Sequence, residues 1–135
     1  MDRFVNSNEI IELSIADLWI DQNNVVRIAF KPTGAHTVED ARTVTSAHRQ
    51  LTGIRKCPVL ADIRRIKVGA DKIARAHYAG EESTQLKTAL AFVTRSKFQR
   101  TVGNIFHFMN RPPYPVKMFT SESEALRWLE SYRTE

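Results

Sequence analysis

Apolar and polar residues alternate at the start of the chain, with Ile11, Leu13 and Ile15 set against Glu12, Ser14 and Ala16. A period of two predicts a strand with one buried face. Leu18-Trp19-Ile20 is a short second run, Asp21-Gln22-Asn23-Asn24 a turn cluster, and Val25 to Phe30 the return strand. Asn suits such a turn because it tolerates the left-handed backbone that tight hairpins need. Lys31-Pro32-Thr33-Gly34 ends the strand. Thr37 followed by Asp40 predicts a helix cap, the hydroxyl accepting an orphan backbone N–H. Val38, Ala41, Val44 or Thr45, His48 and Leu51 recur at helical spacing, and Gly53 is the expected stop.

The second half alternates strand with helix. Pro58 to Ile63 is a short apolar strand with proline near its start, and Arg64 to Gly69 a loop. Ala70 to about Ala79 reads as a helix burying Ile73, Ala74, His77 and Tyr78, stopped by Gly80. Lys87 to Thr94 is the most apolar strand, which predicts a central position covered on both faces. Ser96 opens a helix with Phe98, Val102, Ile105, Phe106 and Met109 on one stripe, and Asn110 to Pro115 stops it. Val116 to Phe119 is a last strand. Ser121 with Glu124 caps a helix that buries Ala125, Trp128, Leu129 and Tyr132. The order β-β-β-α-β-α-β-α-β-α predicts an α/β fold with a mixed sheet, mostly parallel in its second half, and four helices.

Length and composition narrow the class. The 135 residues suit one domain, with its core over about 17–132. At 42% hydrophobic with 5 Gly and 5 Pro, the chain is neither disordered nor low-complexity. The single Cys57 excludes an intrachain disulfide, and next to a strand-starting proline it is expected to be a buried, inert thiol. His36, His48, His77 and His107 show no metal-ligand spacing, so no metal and no cofactor is expected. His48 and His77 fall on partly apolar helix faces and read as core or boundary histidines. Met1-Asp2-Arg3-Phe4 begins no leader-like apolar run, and Ala89 to Val93 is far too short to span a membrane. A reducing cytoplasm is the expected location.

Charge changes the picture more than composition does. The net charge of +5 is concentrated in two blocks. Residues 42–67 carry seven basic residues against Asp62 alone, and residues 87–119 carry six basic residues and no acid. If the strands ending at Ile63 and Thr94 are parallel, the loops after them lie at one edge of the sheet. Arg64, Arg65 and Lys67 then meet Arg95, Lys97 and Arg100, and Ser96 adds helix N–H groups. Ligands of open α/β sheets bind beyond the carboxyl ends of strands, and helix N-termini favour anions. An anion or an acidic partner is the implied ligand, set against a basic rim that serves only solubility. Nucleic acid is disfavoured as a partner, because no helix-turn-helix, zinc knuckle or aromatic RNA-binding strand is present. Phosphate-loop motifs are absent. Asp62 stands at a strand end where a general acid or base could work, yet no second carboxylate is seen to converge on it, and capping the loop or pairing with Arg64 or Arg75 is its expected role.

The sequence also resembles a known family. Asp62-Ile63-Arg64, Ala74-Arg75 with Tyr78, and Ala91, Ser96, Arg100 and Asn104 carry the resemblance. So do Asn110-Arg111-Pro112, Pro115 to Phe119 and Glu124 to Leu129. From about Leu18 to Trp128 the chain resembles the STAS/SpoIIAA-like family of anti-sigma-factor antagonists and sulfate-transporter tails. It resembles most the small bacterial SpoIIAA-like proteins of unassigned function. The regulatory members carry an Asp-Ser-Ser step at the start of the second helix, with the serine after the aspartate phosphorylated. That step falls on Ala70-Asp71-Lys72, where neither serine is present. Asp71 then either mimics a permanent negative charge or favours a helix start.

The favoured reading is a non-enzymatic regulatory or binding module, acting by protein contact or by holding a small anionic ligand at the basic edge. The alternative is a lipid or small-molecule carrier with a pocket between helix and sheet, and a small enzyme using Asp62 stands third. An edge strand in the N-terminal hairpin leaves a homodimer open.

Overall fold

The computed structural model describes residues 9–32, 34–67, 71–95 and 113–133. The first three strands form a meander: β1 (Ile10–Glu12), β2 (Ala16–Ile20) and β3 (Val26–Phe30), each antiparallel to the next. The turn into β3 is where the Asp21–Asn24 cluster placed it, with Asn24 at φ 64 and the Asp21 carboxylate accepting from the backbone of Asn23 and Val25. The turn into β2 is not where alternation placed it. Glu12 pairs with Asp17, so the chain reverses at Leu13–Ile15, inside the stretch read as one strand. Leu13 N–H donates to the Ala16 carbonyl across that reversal. The burial pattern shifts phase at the bend, where Ile15 and Ala16 are both buried, a shift that the apolar alternation from Ile11 to Ile15 does not show.

From β3 onward the sheet is parallel. β4 (Cys57–Asp62), β5 (Lys87–Val93) and β6 (Val116–Phe119) follow in spatial order, giving six strands arranged β1 to β6. Helix α1 (Val38–Thr52) starts in a capping box: Asp40 N–H donates to the Thr37 hydroxyl, and the Asp40 carboxylate accepts from Thr37 N–H. Gly53 ends it at φ 67, a conformation that disfavours a side chain. Thr37→Ala should lower the stability of the protein by about 1 kcal/mol in urea unfolding, with the slope unchanged.

Helix α2 (Lys72–Ala79) is shorter than the sequence predicts, because Asp71 caps it by accepting from Ala74 N–H at 2.8 Å. Its buried face also differs. Ile73, expected inside, is 65% exposed, while Ala74 is buried and Tyr78 packs on the core. Gly80 ends α2 and starts a single turn that the sequence did not predict, α3 (Glu81–Thr84), which buries Ser83 and Thr84. Helix α4 (Glu122–Leu129), capped by Ser121, runs into a 3-10 turn at Glu130–Tyr132. The helix expected over 96–109 lies outside the described residues.

Two hydrophobic layers flank the sheet. On one face Val44, Ala47 and Leu51 of α1 pack on Leu18, Ile28, Phe30, Val59, Ala61 and Leu90. On the other, Ala125 and Leu129 of α4 pack on Leu60, Ala89, Ala91 and Val93. β5 is therefore covered on both faces, as its near-continuous apolar run predicts. No helix among the described residues is long and apolar enough to cross a membrane.

Candidate functional site

Parallel pairing of β4 with β5 brings the loops after Asp62 and Val93 to one edge. They touch directly: the Arg95 guanidinium donates to the Arg64 carbonyl at 2.8 Å. The two basic blocks thus meet as their sequence positions imply. Arg65 and Lys67 are exposed beside that contact. Ser96, Lys97 and Arg100 lie outside the described residues.

Arg64 differs from the expectation. Its guanidinium grips Asp62 with two bonds, of 2.9 and 2.7 Å, and reaches Glu122 at 3.3 Å. Glu122 also pairs with Arg27, and Arg27 with Asp21. Five side chains of alternating sign therefore tie β3, β4 and α4 together, and the charge of Arg64 is balanced within the protein. Burial would raise the Asp62 carboxyl, but the Arg64 hydrogen bonds and the charges of Arg64 and Arg27 outweigh it and hold the group below the usual carboxylate range. A carboxylate so held is a poor general acid. Asp71, at the place of the phosphorylated serine in the family it resembles, has its carboxylate engaged in capping α2.

The loops at this edge border a second feature. A cavity of about 160 Å³ lies between the sheet and helices α1 and α2. Sheet residues such as Ile28, Val59, Ala61, Leu90 and Phe92 form its apolar wall, and Lys67 and Arg95 stand among its lining. An engineered apolar cavity of about 150 Å³ is large enough to take benzene. Two polar contacts hold α2 in place: the Thr45 hydroxyl of α1 with His77 Nε2 at 2.9 Å, and Nε2 of His36, just before α1, with the Tyr78 hydroxyl at 2.8 Å. Burial lowers the His36 pKa against the pull of Asp40 and Asp71, so this ring is neutral at pH 7.

Sequence reasoning missed the polar end of the cavity. The register between β4 and β5 shifts at Cys57/Pro58, so that Lys87 pairs with Cys57 and Ala89 with Pro58. A bulge re-aims side chains. Lys87, read from the sequence as a strand-flanking residue, lines the cavity as a buried amine. It donates to the Ser83 carbonyl at 2.9 Å and the Ser83 hydroxyl at 2.8 Å. Burial brings its pKa down to about 7. His48, 2% exposed, and Tyr114, 7% exposed, line the same cavity. Among the described residues, neither His48 Nε2 nor the Tyr114 hydroxyl has a hydrogen-bond partner. Cys57 is a buried free thiol, its pKa raised by burial to about 11 against the opposing charge of Arg55. No group of His, Cys, Asp or Glu among the described residues could hold a metal ion.

Comparison with known proteins adds the fold but no activity. The model of a domain of unknown function, DUF7793, matches residues 18–133. An uncharacterized protein from Shewanella loihica PV-4, of the DUF3478 family and with a SpoIIAA-like fold, is 22% identical in its crystal structure. That likeness covers 93% of this chain and 98% of the other, with a TM-score of 0.61. A protein of unknown function from Arthrobacter sp. fb24 is 23% identical over 88% of this chain and 95% of the other. Its TM-score of 0.31 is too low to bear on the fold. No curated protein matches. The chain thus has the SpoIIAA-like fold that its sequence resembles.

Proposed function

This chain belongs to the DUF7793 family, a domain of unknown function, and we propose that it works as a non-enzymatic binding module that holds a small anionic ligand at the carboxyl edge of its parallel strands. The observation that carries the reading is the bond from Arg95 to the Arg64 carbonyl, which joins the two basic loops into one edge. Arg65 and Lys67 are the exposed cations there, and neither enters an ion pair with a described residue. Arg64 serves as a backbone contact and a structural ion pair. The commitment of Asp62 to Arg64 speaks against acid–base chemistry at this edge.

Retention on phosphocellulose at rising salt tests the reading. Arg65→Gln/Lys67→Gln should weaken binding roughly threefold to tenfold. Arg42→Gln/Arg133→Gln removes the same charge elsewhere and should weaken it far less. Equal loss in the two double variants would mean that a diffuse basic field is responsible and would refute the site.

A further inference from the structure

We propose that the cavity between the sheet and helices α1 and α2 is a binding site for a small apolar carboxylic acid, whose carboxylate is received at the inner end by Lys87, His48 and Tyr114. The inner end is distinct from the basic edge, whose Lys67 and Arg95 also line the cavity. Lys87 begins β5, whereas Arg95 follows its end, so the two cations mark opposite ends of one strand. Tyr114 lies at the Lys87 end. Val116 pairs with Leu90, and Leu90 N–H donates to the Pro115 carbonyl, which sets Tyr114 level with Thr88. His48 stands on α1 close enough for the Lys87 charge to act on it.

Three properties of this end point to an anion. A buried amine normally has a carboxylate beside it, because an unpaired buried charge is strongly unfavourable. Among the described residues no carboxylate pairs with Lys87. Its two hydrogen bonds both go to Ser83, which leaves one N–H of the ammonium unused. The Tyr114 hydroxyl and His48 Nε2 are unpartnered among the described residues, and each can donate. Buried polar atoms in native proteins are rarely orphaned, and two in one cavity beside an unpaired amine imply an acceptor shared among them.

A carboxylate accepts from several donors at once and carries the single negative charge that one lysine can balance. The walls above this end, Leu90, Val59, Ala61, Ile28 and Phe92, offer only apolar contact, so the rest of the ligand is hydrocarbon.

The test is calorimetric titration of the full chain with straight-chain carboxylates from butanoate to decanoate, and with 1-octanol as the uncharged match for octanoate. One or more of the carboxylates should bind, and octanoate should bind more tightly than 1-octanol. Lys87→Met should weaken carboxylate binding tenfold or more, and Tyr114→Phe several-fold. Tyr114→Phe deletes only an unpartnered hydroxyl, so it is expected to fold. Arg42→Gln/Arg133→Gln, at cations outside the cavity lining, should leave the affinity unchanged. No binding by any of the carboxylates would overturn the proposal and assign the orphan groups to water. Equal binding of octanoate and 1-octanol, or indifference to Lys87→Met, would remove the carboxylate from the inner end. Loss on Arg65→Gln/Lys67→Gln with no loss on Lys87→Met would place the head group at the basic edge. That outcome would refute this proposal and leave the edge reading standing.

Discussion

Lys87→Met is expected to stabilise the protein by about 2 kcal/mol at pH 7 and raise the melting temperature by roughly 5–8 °C. The unfolded lysine keeps a pKa near 10.5, while burial brings the folded one to about 7. Each unit of difference corresponds to about 1.4 kcal/mol, so carrying the amine inside costs on the order of 4 kcal/mol at pH 7. Methionine removes that cost and fills a similar shape. It also leaves the Ser83 hydroxyl without its amine donor and the Ser83 carbonyl with the longer bond from Leu86 N–H, which offsets about half of the gain. A residue that destabilises the protein it belongs to fits a binding role, since sites carry strain and desolvation that the rest of the fold compensates. A Lys87→Met protein less stable than wild type at pH 7 would show the amine to be a structural element.

The sign of the pH dependence follows from the same shift. Between about pH 7 and 10.5 the unfolded chain holds the Lys87 proton and the folded chain has lost it, so this residue makes stability rise with pH across that window. Other buried groups act differently. His48, whose pKa lies well below 6.5 through burial and the charges of Lys87 and Arg49, adds a rise at lower pH. Cys57 and Tyr114, both raised by burial, make stability fall in alkali. The difference between wild type and Lys87→Met cancels the contributions that do not involve Lys87, while His48, on which the Lys87 charge acts, adds a residual at lower pH. The advantage of the variant should therefore shrink steadily from pH 7 and reverse at about pH 9, where the remaining cost of the buried amine falls to that of the lost Ser83 bonds. Denaturant midpoints of the two proteins from pH 6 to 10 check this, and a constant difference would refute it.

Much of the fold was legible because its signals are local. The Asn24 turn, the Thr37 and Asp40 cap and the Gly53 stop each rest on a few adjacent residues with one dominant physical role. The parallel pairing of β4 and β5 was legible from strand–helix alternation, and with it the meeting of the two basic loops. What escaped depends on partners distant in sequence. Nothing near Arg64 announces that Glu122, 58 residues away, balances it. Lys87 looks like a strand flank until the bulge opposite Cys57 turns it inward. Ile73 looked buried because helical spacing gives the apolar face but not which side of a short helix docks. The sequence predicts a satisfied core or boundary histidine at position 48; the residue is buried, but its Nε2 has no partner among the described residues, which shows only once the cavity has shape.

Leu129→Ala should destabilise the protein by about 3–4 kcal/mol and leave carboxylate binding unchanged in the fraction that remains folded. Leu129 is fully buried where α4 meets Leu60, Ala89, Ala91 and Val93. Three of these neighbours are alanine or valine, so the small side chains on the sheet cannot close over the space that a lost leucine leaves. The cavity lies across the sheet from α4, against α1 and α2. The two faces thus divide the work: one anchors the C-terminal helix by close packing, and the other keeps a space. Substitutions on the α4 face should change unfolding midpoints, and those at Lys87 and Tyr114 should change ligand affinity. Thermal unfolding and titration of Leu129→Ala beside Tyr114→Phe separate the two roles. A fall in octanoate affinity in folded Leu129→Ala as large as that in Tyr114→Phe would show that the faces are coupled through the sheet and would overturn the division.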